Sequence, residues 1–274
     1  MTDILTTSVN GNHPTDTEVH GAAFFDVDRT LIAGASALRL ARPFRRHGML
    51  TRRQQVRAAM LQLGFMLRGA DDAGIERFTV TAKQLIAGWN QADVSAIVAT
   101  ELEKHVQPVV FREALDRIEM HRRMGQKVYA VSATMREIIE PLAELLGLDG
   151  AVASQMRAVD GRYTGDLDIV CYGAGKAEQL RKFAELNDID LAHSYAYSDS
   201  ISDEPFLRAV GRAYAVNPDK ALRKLAEREG WGILFFRNRV VVPVHRRRST
   251  HVGALGIASL AVAAALLRRR AAAR

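Results

Sequence analysis

Along the middle of the chain, short apolar runs that break off at polar residues alternate with stretches of helical period. Residues 22–25, 128–131, 194–197, 213–216 and 233–236 are apolar runs of strand length, and a helical stretch at 135–146 stops at Gly147. Such alternation predicts a parallel sheet covered by helices on both faces. The expected fold class is therefore α/β, a Rossmann-like three-layer parallel sheet. The first run ends at Asp26, the second at Ser132 and the third just before Ser198 and Asp199. In open α/β sheets ligands gather beyond the carboxyl ends of strands, so these endings are where chemistry is sought.

Residues 35–110 follow another pattern. Helix-period stretches at 38–47, 52–67, 74–87 and 94–103 are separated by Gly48, Gly69 and residues 88–90, with little β-branched clustering. They predict an all-helical cap inserted between the first two strands, where it would lie over the strand ends as a lid. The catalytic core is then 22–34 plus 111–240. Residues 1–21 read as a flexible leader, without the basic start and apolar stretch of a secretory signal.

Composition narrows the class. With 274 residues, 48% hydrophobic and 25% charged, the chain is neither disordered nor fibrous. Its single cysteine, Cys171, forms no internal disulfide, which suits a reducing cytoplasm. A net charge of +7 raises the question of nucleic acid, but beyond Glu229 there are nine arginines and no acidic residue; without them 29 basic residues face 31 acidic ones. The basicity thus belongs to the tail at 245–274, which lacks the interleaved aromatics of a single-strand binder, and no nucleic-acid partner is expected. Within it, residues 252–267 are uncharged, bracketed by Arg246, Arg247 and Arg248 and by Arg268, Arg269 and Arg270. As a helix this segment would be about 24 Å long, short of the roughly 30 Å hydrocarbon core. Spanning is marginal; residues 246–270 read either as an attachment to an anionic membrane surface or as a docked helix with a solvated basic end.

Candidate chemistry begins at Asp26-Val27-Asp28-Arg29-Thr30. Two carboxylates two residues apart at the end of a strand share a face; plain capping or a turn is the alternative. A calcium loop would need Gly and Glu where Leu31 and Ala37 stand. Downstream come Ser132-Ala133-Thr134, then Lys176 in Gly173-Ala174-Gly175-Lys176, then Ser198-Asp199-Ser200-Ile201-Ser202-Asp203. Val170 occupies a position where a Walker loop needs Gly, and the histidines lack zinc-ligand spacing. Taken singly, Ser132 reads as a helix N-cap, Lys176 as solvated surface and Cys171 as a small buried apolar residue.

In kind and order these four elements resemble the haloacid dehalogenase (HAD) superfamily. Its motifs are Asp-x-Asp-x-Thr, a Ser or Thr after a strand, a Lys, and a paired acidic motif. The helical insert after the first motif is similar to that of subfamily IB, which includes phosphoserine phosphatase. The resemblance implies a phosphatase in which Asp26 is the nucleophile and forms an aspartyl-phosphate. Asp28 would protonate the leaving alkoxide and then deprotonate the hydrolytic water. Mg2+ would be held by Asp26, by Asp28 through its backbone carbonyl, and by Asp199, offsetting repulsion between the carboxylate and a dianionic ester. Ser132, the N–H of Ala133 and Lys176 would bind phosphate oxygens. Asp203, Ser200 and Thr30 would support them from behind.

Departures from the subgroup bear on specificity. Its phosphoserine phosphatases typically carry a Glu that reads the substrate amine where this chain has Ala35; their Ser-Gly-Gly is Ser132-Ala133-Thr134 here, and a frequent Asn is Ser202. Without an ionic partner for the ammonium, phosphoserine is disfavoured. The expected substrate is a phosphorylated small molecule or a lysophospholipid-like ester. A phosphotransferase using the same intermediate and a non-catalytic, membrane-tethered scaffold are the alternatives. Arg39, Arg42, Arg45, Arg46, Arg52 and Arg53 of the insert either meet an acidic substrate or form a solvated helix face.

Overall fold

The strand β1 (Ala22–Phe25) is completely buried and lies at the centre of a seven-stranded sheet of order β4-β3-β2-β1-β5-β6-β7. Its neighbours are β2 (Lys127–Met135) on one side and β5 (Tyr195–Ser198) on the other, both parallel to it. β3 (Gly150–Val159), β6 (Arg212–Val216) and β7 (Gly232–Leu234) continue the parallel sheet, while β4 (Arg162–Ile169) runs antiparallel to β3. The computed structural model describes residues 21–54, 56 and 85–240. The leader through residue 20, most of the expected helices at 52–67 and 74–87, and the tail at 245–274 lie outside the described residues. The chain divides into the units Met1–Val242 and Pro243–Arg274, and every described residue belongs to the first. Among the described residues no helix is long and apolar enough to cross a membrane.

Alternation along β1 divides the core into two layers. Ala23 and Phe25 face one cluster and Ala22 and Phe24 the other. The first cluster takes in α3 (Arg112–Arg123) and α4 (Arg136–Leu145), together with Leu40 and Phe44 of α1 (Ser36–Arg46) and Val94, Ile97, Val98 and Leu102 of α2 (Gln91–Val106). The second takes in α5 (Ala174–Leu186), α6 (Glu204–Leu207) and α7 (Lys220–Glu229). The three layers are those the apolar runs predict.

Two features differ from expectation. β2 does not stop at Val131 but continues to Met135, and α4 starts one residue later. The β3–β4 hairpin has no counterpart among the apolar runs, because its strands alternate buried and exposed positions instead of forming continuous apolar stretches. Its tip, Asp160-Gly161, takes left-handed φ values of 49° and 74°, the conformation of a tight two-residue hairpin turn. That hairpin also grips the insert: Gly88 N–H donates to Tyr163 O (2.8 Å), Tyr163 N–H to Trp89 O (3.0 Å) and Gln91 N–H to Gly161 O (2.9 Å).

Beneath the strand ends the packing is aromatic and braced by a histidine. Phe25 stacks on Tyr197 at 4.2 Å, and the fully buried His121 lies with Nε2 2.7 Å from the Tyr197 hydroxyl and Nδ1 2.7 Å from Gln126 Oε1. Burial lowers the imidazole pKa, so the ring stays neutral and fixes both polar partners. β1 and β5 are thereby held side by side at the level where Asp26 begins.

Candidate active site

Phe25 pairs with Tyr197, and Asp26 N–H donates to Tyr197 O at 2.9 Å. β1 and β5 therefore deliver Asp26 and Asp199 to one rim, where the sheet's connections leave in opposite directions. Lys176 reaches the same rim from α5. A Cβ on the preceding Gly175 would lie 2.5 Å from Val170 O, so only glycine allows the helix start this close an approach. The Lys176 side chain is 1% exposed, and its Nζ donates to Asp26 Oδ1 and to Asp203 Oδ2, each at 2.6 Å. Ser198 Oγ donates to the same Asp203 oxygen at 2.6 Å. Lys176 is thus the centre of a buried cluster, not solvated surface.

A second chain of contacts holds Asp28. Its Oδ1 accepts the N–H of Ser36, the first residue of α1, at 2.8 Å. Ser36 Oγ lies 3.4 Å from Thr134 Oγ1, and Thr134 N–H donates to Ser132 Oγ at 3.1 Å. Here the register of β2 against β3 jumps from Ser132–Ala153 to Met135–Ser154, which takes Ala133 and Thr134 out of that ladder. Ser132 is not the N-cap of α4; Met135 is.

Asp199 is 5% exposed. Arg29 Nη1 stands 3.1 Å from its Oδ2, yet among the described residues no aligned hydrogen bond reaches that oxygen. Arg29 has φ 65°, a left-handed conformation that costs a non-glycine residue roughly 1–2 kcal/mol. Asp219 N–H donates to Asp199 O at 2.9 Å, while its carboxylate accepts from Ile201 N–H (2.9 Å) and caps α7 through Leu222 N–H (2.8 Å).

Of the residues singled out in the sequence, Asp26, Lys176 and Asp203 are joined directly, and Asp28 and Ser132 are joined through Ser36 and Thr134. Asp199 stands beside Asp26, near enough for the Asp26 charge to raise its pKa. Thr30 is not joined: its buried hydroxyl has no hydrogen-bond partner among the described residues. Ser200 caps its own turn, accepting from Ser202 N–H (3.4 Å) and Ser202 Oγ (3.1 Å). Sequence reasoning missed Arg29, Ser36, Ser198 and Asp219. Asp219 carried a readable signal as an N-cap before a helical stretch; the contact from Ser36 is a backbone N–H, which no side-chain identity announces.

The electrostatics favour added positive charge. Burial pushes the Asp26 carboxyl up to about 7, with the Asp203 and Asp28 charges acting in the same direction and Lys176 against them. Burial also raises Asp28, moderated by the Ser36 hydrogen bond. Asp199 is raised well above the usual carboxylate range by burial first and the Asp26 charge second, against Arg29. Burial opposes the Lys176 ammonium, but Asp203 and Asp26 outweigh it and raise its pKa, so it stays charged. Among the described residues no three His, Cys, Asp or Glu side chains form a complete ligand cluster. An all-oxygen set of two carboxylates with one buried, unaligned oxygen nevertheless fits Mg2+, which keeps several waters and needs few protein ligands.

A pH dependence follows. Carboxyls whose folded pKa is raised contribute stability that is complete below their unfolded value and is lost as pH rises through the folded one. For Asp26 that window runs from its ordinary 3.8 to about 7. The cation-free protein is therefore expected to lose stability across this range, and Mg2+ is expected to restore more of it at pH 8 than at pH 5. At a hundredfold excess over Kd the gain is about 2.7 kcal/mol, several degrees in melting temperature. Thermal melts with and without Mg2+ at the two pH values check this; an equal shift at both would contradict it.

Known proteins can be set beside this geometry. Residues 23–208 match the haloacid dehalogenase-like hydrolase family. A Mycobacterium tuberculosis protein named as a probable phosphatase is 43% identical over 90% of this chain and 89% of its own length. A phosphoserine phosphatase of the same organism is 33% identical over 92% and 82%. Among solved structures, a phospho-aspartyl intermediate analogue of phosphoserine phosphatase is similar with a TM-score of 0.58 and 20% identity, over 80% of this chain and 95% of that one, a likeness of fold.

Proposed function

This chain belongs to the haloacid dehalogenase-like hydrolase family and is a phosphatase, and we propose that it hydrolyses a phosphate monoester of a small or lipid-linked alcohol with Asp26 as nucleophile. The observation that carries this reading is the buried Lys176 ammonium held between Asp26 and Asp203 at 2.6 Å from each. A buried charge cluster of this kind costs stability relative to apolar packing, which weighs against a non-catalytic scaffold and for a site that uses the charges.

Asp26 attacks phosphorus as the bond to the alcohol oxygen breaks, and Asp28 gives that oxygen a proton. Water then attacks the aspartyl-phosphate, returns a proton to Asp28, and leaves inorganic phosphate and the Asp26 carboxylate. Its raised pKa suits Asp28 to carrying that proton. Ser132, which accepts from Thr134 N–H and keeps its own hydroxyl proton, would donate to a phosphate oxygen with the N–H of Ala133 and Lys176 Nζ. Asp26, the backbone carbonyl of Asp28 and Asp199 would hold Mg2+, which supplies charge neutralisation between nucleophile and ester. Asp203 and Ser198 fix Lys176.

Residues 22–34 with 111–240 form the proposed catalytic body, and 35–110 the cap that selects the alcohol. Ala35 brings no charge to the start of α1, so phosphoserine is a poor substrate in this reading. The buried free Cys171 agrees with a reducing cytoplasm, and the arginine-bracketed tail supports an anionic membrane surface as a partner. A panel of phosphorylated metabolites and lysophospholipids, assayed with Mg2+ and with chelator, tests the proposal. Turnover should fall at least about tenfold with chelator, and phosphoserine should rank low. Chelator-resistant turnover, or phosphoserine as the best substrate, would overturn it. Product analysis with an added acceptor alcohol separates hydrolysis from transfer.

A further inference from the structure

We propose that Arg29 is a built-in competitor of the divalent cation: its guanidinium neutralises Asp199 while the site holds no cation and has to withdraw when one binds, so that Arg29 sets the cation affinity. This rests on the functional reading above and concerns a residue to which that reading gives no role.

Four observations lead to it. Arg29 Nη1 stands 3.1 Å from Asp199 Oδ2, an oxygen of the carboxylate offered to the cation. Two positive groups crowding one carboxylate repel each other strongly where solvent is scarce. The contact is Coulombic without hydrogen-bond alignment, since that buried oxygen has no hydrogen-bond partner among the described residues, so leaving it breaks no directed bond there. The two cations of the site also differ in freedom. Lys176 is 1% exposed and anchored by two carboxylates, whereas the Arg29 side chain is 38% exposed and holds one, leaving a path into solvent. Finally, the backbone commits itself to this placement. Arg29 sits at φ 65°, its N–H donating to Gly34 O at 3.2 Å, a conformation that favours glycine, and the chain nevertheless carries the longest cationic side chain there.

The competition has a definite character. A guanidinium keeps its charge at every working pH, so it opposes the cation equally in acid and base, unlike the protons on Asp26 and Asp199. By reciprocity, whatever Arg29 contributes to the cation-free site is subtracted from cation binding. Such couplings run from about 5-fold to 150-fold, and roughly tenfold is expected here.

The test is calorimetric titration of Mg2+ into the chelator-treated full-length chain and into Arg29→Gln, Arg29→Gly and Arg29→Lys. Glycine suits the backbone conformation, so Arg29→Gly folds even if the glutamine variant does not. Mg2+ should bind the Gln and Gly variants about tenfold more tightly than wild type, and the Lys variant, which keeps a charge, less tightly than either. The cation-free Gln protein, which keeps the left-handed backbone cost, should melt lower than wild type if Arg29 neutralises Asp199. The direction separates this from a purely structural ion pair, whose loss would damage the site and weaken binding. Unchanged or weaker Mg2+ affinity in Arg29→Gly overturns the inference while leaving the phosphatase reading intact. A wild-type chain that binds no Mg2+ and turns over phosphate esters fully in chelator removes both the inference and the Mg2+-dependent mechanism it rests on.

Discussion

Asp26→Asn is expected to leave the fold standing and to remove turnover of any phosphate ester, by at least about 10⁴-fold in kcat. The amide is the same size as the carboxylate and cannot attack phosphorus. The fold survives because the substitution relieves a strained charge: burial raises the Asp26 carboxyl to about 7, so near neutral pH the native protein bears part of the cost of ionising it, and the amide bears none. Lys176 loses one partner but keeps Asp203, so no buried ammonium is left bare. The check is kcat on a generic ester alongside a thermal melt. Activity within tenfold of wild type would contradict Asp26 as nucleophile, and an unfolded variant would contradict the electrostatic reasoning.

Lys176→Met has the opposite signature, striking stability and activity together. The side chain is similar in length and apolar, but Asp26 and Asp203 are left buried without their shared cation. Breaking a buried ion pair from one side costs about 3–5 kcal/mol. With Lys176 gone, its downward pull on Asp26 disappears and that carboxyl rises further. A raised acid loses its contribution as pH rises, so the variant's deficit should be larger at pH 8 than at pH 5. Removal of a charge aimed at the phosphoryl oxygens costs roughly 10²–10³ in kcat besides. Paired melts at the two pH values, with kcat at the higher, check this. A deficit that shrinks as pH rises would show that Lys176 is not what neutralises the two carboxylates.

Much of this architecture can be read before any coordinates. β1, β5 and β6 lie within a residue of their apolar runs because a strand buried on both faces has no room for polar residues, and its first polar position marks its end. Asp26 and Asp199 were legible for that reason, and Ser132 because the apolar run breaks there, although β2 itself continues to Met135. The β3–β4 hairpin was not, since one face of each strand admits polar side chains and the apolar run disappears. Its Asp160-Gly161 turn was the readable trace. Within the site, the order of motifs suggested that Lys176 meets the acidic residues, but not that one ammonium bridges two of them from 150 and 27 positions away. Ser36 acts through a backbone N–H at a helix start, and the Arg29 guanidinium meets Asp199 from a residue of left-handed φ; neither backbone property is written in a side chain.

The most direct measurement is to stop wild-type enzyme during turnover of a phosphate ester, reduce it with borohydride, and map the modified peptide by mass spectrometry. An acyl phosphate on Asp26 is converted to homoserine, so that residue alone should carry the change, and Asp26→Asn treated in the same way should carry none. Homoserine at another aspartate, or undiminished turnover with Asp26 never modified, would show that the carboxylate beside Lys176 is not the group that receives the phosphate.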